Sequence, residues 1–232
     1  MRKGIITLGI IAVIALAMTT LGPLAFQFFS DRGLQTASIS SGGEPASTDM
    51  NGTWEIAKGA GTNRTQAGYT FDEVLPGQRK STSGRADNEK NTNITGGLTV
   101  ENNVVKEGSV DVLVDGITSD VEKRDINVRN HILNTKEYPH AKFTLTKPVD
   151  ISSLPSDGKP GEISVTGDLT LRGKTNSVTT TLKVLRTGKH VIIEGKVPFA
   201  RKDYGINSPQ FVASKIAENG TVDLLLVMEK KQ

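Results

Sequence analysis

The sequence predicts an all-β domain, an antiparallel barrel of eight or nine strands with one short helix at its mouth, behind an N-terminal transmembrane helix. Three observations predict it. From Asn91 onward apolar and polar residues alternate, as where Val110, Val112 and Val114 are interleaved with Ser109, Asp111, Leu113 and Asp115. The alternation is interrupted once, at Glu122–Leu133, where the period becomes helical and Ile126, Arg129, Asn130 and Leu133 fall on one side. Before Asp31, the run from Gly4 to Ser30 carries no charged residue.

That apolar run defines the first of three segments. Residues 1–30 are long enough to cross about 30 Å of hydrocarbon at roughly 1.5 Å per helical residue. Arg2 and Lys3 precede the run, which favours a cytoplasmic amino terminus with the rest outside. A cleaved signal peptide would have a shorter apolar core and small residues at its cleavage site; Phe26, Phe28 and Phe29 stand there instead. We therefore expect a single-pass signal anchor in preference to secretion after cleavage. Residues 31–50, rich in Ser, Gly, Thr and Ala, read as a flexible linker with a reach of roughly 25 Å. Residues 51–232 form the folded domain, ample for one core.

Within that domain, Gly52–Lys58 and Arg64–Val74 are the first strands, with Trp54 and Ile56 on one face and Tyr69 and Phe71 on another. Pro76–Asn93 is either a long hairpin or two edge strands. Asn93–Val100 and Asn103–Ile117 pair about a turn near Glu101–Asn102, since asparagine tolerates the left-handed region. The helix follows, with Asp120 as a partial N-cap. His140–Val149, Glu162–Arg172, Val178–Val184, His190–Phe199 and Thr221–Met228 are the remaining strands, joined by turns at Gly173–Lys174 and Gly188–Lys189. Clean alternation means one buried face and one wet face. A sheet of this size tends to curl and close, removing its edges. A two-sheet sandwich fits the same pattern; the inserted helix and the strand number favour the barrel.

Composition excludes several functions. The 232 residues carry a net charge of only +3, with basic and acidic residues interspersed, so no nucleic-acid footprint exists. There is no cysteine, which removes disulfides, thiolate metal sites, a cysteine nucleophile and a lipid-modified amino terminus. His131 and His140 lack the spacing of a metal pair, so no metal or other cofactor is expected. No serine lies in a Gly-x-Ser-x-Gly elbow, and no catalytic residues or enzyme activity are expected.

Three segments, RDINVRNHILNTKEYPHAKFTL (Arg124–Leu145), GDLTLRGKTNSVTTTLKV (Gly167–Val184) and ARKDYGI (Ala200–Ile206), resemble the YceI-like family. The resemblance covers about Gly52 to Lys230. It implies an eight-stranded lipocalin-like barrel whose apolar pore binds an isoprenoid-type lipid, a polyprenyl chain or quinone, in a bacterial, extracytoplasmic setting. The family's early Asp-x-x-His-Ser pair is missing from EIAKGAGTNRTQAGYTF, so ligand contacts there are not carried over.

The candidate pore residues are Trp54, Tyr69, Phe71, Val112, Val114, Phe143, Leu145, Val165, Leu169, Leu171, Leu182, Ile193, Phe199, Leu224 and Leu226. Aromatics make up only 5% of the chain and glycines number 24, so a barrel lined by Val, Leu and Ile risks a void that a ligand would fill. Arg124 with Asp125, and Arg201 with Asp203, are candidate polar groups: headgroup clamps, or structural ion pairs at the barrel mouth. The alternative function is a cell-envelope interaction module with a packed interior. The expected partners are an apolar lipid, the membrane through the N-terminal helix, and a second copy of the chain through an exposed strand edge.

Overall fold

In the computed structural model the described residues are 33–39, 42–75, 78–207 and 215–231. The expected transmembrane helix lies outside them; among the described residues no helix is long and apolar enough to cross a membrane.

Thirteen strands are described: β1 (Gly52–Ala57), β2 (Gly59–Ala60), β3 (Asn63–Arg64), β4 (Gln66–Leu75), β5 (Gln78–Asp87), β6 (Ile94–Glu101), β7 (Val104–Leu113), β8 (His140–Leu145), β9 (Val149–Asp150), β10 (Pro160–Leu171), β11 (Lys174–Thr187), β12 (His190–Ala200) and β13 (Lys215–Lys230). Eight of them, in the order β1-β6-β7-β8-β10-β11-β12-β13, form a ring that β13 closes by pairing with β1. Every pairing in the ring is antiparallel, as hairpin links demand. This is the barrel, not the sandwich.

The ring is wider at one end. Strand β13 pairs with β1 only over Val227–Lys230, whereas its earlier part, from Lys215 to Leu225, pairs with β4. The β4–β5 hairpin therefore opens away from β1 as an additional wall, which resolves the Pro76–Asn93 alternatives in favour of a hairpin. Beyond β5 a two-hydrogen-bond bridge, Arg85 to Thr118, links this wall to the segment after β7. The opposite end is filled by Met50, Trp54, Val105, Val149, Ile151 and Leu154, all buried in one apolar cluster.

The turns sit one residue later, or one earlier, than alternation alone indicated. Asn102 and Asn103 both have positive φ (51° and 59°) and form the two-residue turn between β6 and β7. Arg172 and Gly173 (48° and 70°) do the same between β10 and β11, with Lys174 already in the strand.

The helix α1 (Glu122–Asn127) continues into a wider π-type turn, Val128–Leu133, and ends at Asn134 in the left-handed region. Of the two apolar residues on the side that carries Ile126, Arg129, Asn130 and Leu133, Leu133 packs inward against Val114 and Ile117, whereas Ile126 does not. Val121, Arg124, Val128 and Ile132, at helical spacing, face the barrel interior, while Ile126 points outward and is 45% exposed. Asp120 is not the N-cap; the cap residue is Val121, with no side-chain cap. Ser119 and Asp125 hold the start of the helix instead. The Asp125 carboxylate accepts hydrogen bonds from the Ser119 amide (2.8 Å) and hydroxyl (2.6 Å), and the Ser119 hydroxyl accepts one from the Val121 amide (3.2 Å).

The segment expected as a flexible linker lies, where described, along the outside of the barrel. Leu34 donates its amide to Ser83 (3.1 Å), Ala37 to the Gln66 side chain (2.9 Å) and Ile39 to Glu194 (2.9 Å). Gly43, Ala46 and Ser47 bond to the 156–158 loop and to Gly188. Ile39, with Ala57 and Ala60, packs over Leu185, Ile192, Leu225 and Val227, which form an apolar cluster on the outer wall. The uninterrupted run Leu224–Val227 reflects this: both faces of β13 are covered here, so the alternation lapses.

Candidate functional site

Alternation turns one side chain in two toward the axis of the barrel, and the inward set is almost entirely aliphatic. Two cavities occupy the axis. The first, about 140 Å³, is lined by residues including Val112, Phe143, Leu145, Val165, Leu169, Leu171, Leu182, Ile193, Leu224 and Leu226. The second, about 320 Å³, lies beneath the helix and is lined by residues including Tyr69, Phe71, Val112, Val114, Leu171 and Phe199. Ala67, Val112, Ala141, Leu171 and Val222 line both, so the cavities share walls along one lumen.

Of the fifteen candidate pore residues only Trp54 lines neither cavity. It is buried in the cluster at the filled end, its indole nitrogen donating to the Met50 carbonyl (2.8 Å). The candidate set omitted Ile163, Val197, Val222 and Met228, which share strand faces with its members, and also Ile117, Val128 and Ile206 at the mouth. The strand residues were detectable by extending each alternating run; the mouth residues lie outside regular strands and carried no periodic signal.

Inward glycines explain why space remains. A Cβ on Gly167 would lie 2.4 Å from the Phe143 ring, one on Gly195 2.3 Å from Leu182, and one on Gly220 2.2 Å from the Phe71 ring. Each large side chain lies flat against the wall over a glycine, leaving the axis open. Gly195→Val should push Leu182 into the lumen, costing about 1–3 kcal/mol through overpacking. Thermal unfolding would read this loss, and a wild-type midpoint would contradict it.

The polar candidates separate into different roles. Arg201 is buried (6% exposed) and its guanidinium is engaged with backbone. Nε donates to Ala217 O (2.8 Å), Nη1 to Ile206 O (3.2 Å) and Nη2 to Ile216 O (3.1 Å), and Nη2 lies 3.8 Å from the Glu218 carboxylate. Its ionic partner is therefore Glu218, not Asp203, which is exposed and accepts from Asn176 only through its carbonyl (3.3 Å). Arg124 pairs with Asp120, one helical turn earlier, and not with Asp125. Both arginines line the second cavity; Asp125 and Asp203 do not. Among the described residues no group of three His, Asp or Glu side chains is placed to hold a metal ion. His140 instead contacts Asp111 through Nδ1 (2.6 Å).

Tyr204 closes the aromatic stack of the mouth. Phe71 meets Phe199 edge-on at 5.3 Å, and Phe199 meets Tyr204 edge-on at 5.7 Å. Burial pushes the Tyr204 phenol above its ordinary value of 10.0. The unfolded chain releases this proton near pH 10, whereas the folded chain keeps it. The corresponding stability is complete below that pH and is lost as the pH rises through and beyond it. Alkaline unfolding should thus be less steep in Tyr204→Phe than in the wild type, and identical alkaline limbs would exclude this role.

A closed, eight-stranded antiparallel ring around an apolar lumen, with one short helix at its mouth, defines the class of this protein as an antiparallel β-barrel. The chain belongs to the YceI-like domain family, which matches residues 62–228. It is 34% identical over 117 residues to Protein YceI of Escherichia coli O157:H7, an alignment covering 47% of this chain and 54% of that protein. The chain thus spans about half the length of the curated relatives it matches. Its fold is similar to that of a polyisoprenoid binding domain from Saccharophagus degradans, implicated in plant cell wall breakdown, with a TM-score of 0.58 at 16% identity, covering 77% of this chain and 98% of that one. Burkholderia cenocepacia BcnA aligns with a TM-score of 0.50 at 18% identity, over 68% of this chain and 95% of that one.

Proposed function

We propose that this barrel binds an isoprenoid-type lipid, a polyprenyl chain or a quinone, in its lumen, and that it does so without catalysing a reaction. The observation that carries the reading is the continuity of the apolar walls through both cavities, held open by inward glycines. A packed interior, as an interaction module would have, has no use for that space. Each methylene moved from water onto such walls contributes about 0.8 kcal/mol, so a chain of about twenty carbons gains roughly 16 kcal/mol, comparable to the upper end of the cost of association. The Saccharophagus degradans domain, which shares the fold, is a polyisoprenoid binder, and this supports the choice of lipid.

We place the barrel outside the cytoplasm of a bacterium, tethered by the apolar run before Asp31. Support comes from the sequence: an uncharged run of spanning length with positive residues before it. The binding reading is tested by incubating the purified protein with vesicles containing geranylgeraniol and separating protein from lipid. Stoichiometric co-elution is the expected result. A folded protein that elutes free of prenol would refute the reading.

A further inference from the structure

Among the described residues that line the second cavity, one fully buried hydroxyl has no hydrogen-bond partner in the protein. Thr82, on β5, is 3% exposed, and its hydroxyl oxygen is buried without a hydrogen-bond partner. Thr82 lies directly opposite Phe71 in the β4–β5 register, and cross-strand partners share a face of the sheet. Phe71 and Thr82 both line the cavity, so the side chain is on the lumen side of the wall. A buried hydroxyl with no partner destabilises the empty protein, and such groups in native folds call for an explanation.

The neighbouring charged groups narrow what could answer it. Arg201 donates to three backbone carbonyls and sits beside Glu218; Arg124 is paired with Asp120. The Arg201 guanidinium has no free fork for a phosphate, and the charge of Arg124, bound through Nη1, is already met by the Asp120 carboxylate. Thr82 offers one neutral hydroxyl, which can donate to a carbonyl or exchange a hydrogen bond with an alcohol.

We propose that Thr82 is the specificity-determining group of the lumen, hydrogen-bonding a neutral oxygen at the head of an apolar chain and so selecting against both pure hydrocarbons and charged phosphates. The inference rests on the lumen-binding reading and adds to it the end of the barrel at which the head resides, beneath α1, and the chemical class of that head. The chain of the ligand then runs from the second cavity toward the first, along their shared walls.

The test uses four probes with one four-prenyl skeleton: geranylgeraniol, a quinone with the same tail, geranylgeranyl phosphate, and the hydrocarbon lacking oxygen. Affinities are compared between the wild type and Thr82→Val, which removes the hydroxyl while keeping the β-branched shape. The wild type should bind the alcohol or the quinone about five- to tenfold more tightly than the hydrocarbon, the scale of one net hydrogen bond. The phosphate should gain nothing over the neutral heads. Which of the alcohol and quinone gains more identifies the source of the oxygen. In Thr82→Val the preference should vanish while hydrocarbon affinity is retained. A preference that survives the substitution, or a wild type that binds the phosphate most tightly, would overturn the assignment. If the wild type binds none of the four, the lumen-binding reading itself has failed, a different outcome from the loss of selectivity alone. The thermal midpoint of the empty protein gives a second readout. It should be unchanged or higher in Thr82→Val, because an unanswered group has been removed; a clear fall would show that the hydroxyl already has a partner.

Discussion

Leu169→Arg is expected to abolish retention of an apolar ligand. Leu169 is 4% exposed, lines the first cavity, and belongs to the same apolar cluster as Phe71, Val197 and Phe199. A guanidinium there has no carboxylate among the lining residues and cannot be left in apolar surroundings without a cost of several kcal/mol. It either draws water into the lumen or occupies the space of the chain. Both remove the apolar contacts on which binding depends, so affinity should fall by more than about a thousandfold, equivalent to roughly 4 kcal/mol. The same change at a fully buried position also strains the fold, so Leu182→Arg is the companion variant. Leu182 lines the same cavity but is only half-buried, and its strand neighbours Thr181 and Lys183 are exposed. A folded Leu182→Arg protein that still carried lipid would place the ligand somewhere other than the lumen.

Arg201→Ala should be among the most destabilising single substitutions outside the apolar core. It leaves the carbonyls of Ile206, Ile216 and Ala217 without their donor, in positions that are buried or partly buried. At about 1–3 kcal/mol for each acceptor left bare, with water recovering part of the loss, a fall of roughly 3–5 kcal/mol is expected. For a domain of this size that lowers the thermal midpoint by about 10 °C. Arg201→Lys should recover little, since one ammonium cannot span three carbonyls that a planar fork reaches together. Asp203→Asn, at an exposed side chain, should be close to neutral. The opposite pattern, a stable Arg201→Ala protein that loses only ligand, would make Arg201 a headgroup contact and not a structural tie.

The contrast between these arginines and their sequence neighbours shows what was legible in the chain. Inward strand residues were legible because alternation is a direct consequence of backbone pleating: Val165, Leu169, Leu182, Ile193, Leu224 and Leu226 all line the lumen. The existence of the helix was legible for the same reason, through its change of period. Its orientation was not. Of the apolar residues that share one helical side, Leu133 is inside and Ile126 outside, and the interior face includes Arg124, whose charge is accommodated by Asp120. The hydrophobic rule works on side-chain area and misreads a helix only six residues long before its π-type continuation.

Ion pairs were equally opaque. Adjacent residues in RKDYG invited an Arg201–Asp203 pair, but the partner, Glu218, comes from β13, which only the fold brings near. The strap formed by residues 33–39 and 42–50 was hidden for another reason. It attaches mainly through backbone amides and carbonyls, which every residue carries, so its Ser- and Gly-rich composition reads as a free linker. The one available sign was the lapse of alternation at Leu224–Val227, whose outer residues Leu225 and Val227 are fully buried beneath it.

The most direct test of lipid binding in the lumen is native mass spectrometry of the protein purified from its own host without detergent, followed by organic extraction. A stoichiometric adduct that extracts as a long isoprenoid chain with a neutral oxygen head is the predicted result. A clean mass for the protein alone, with no uptake of added geranylgeraniol or quinone, would contradict it.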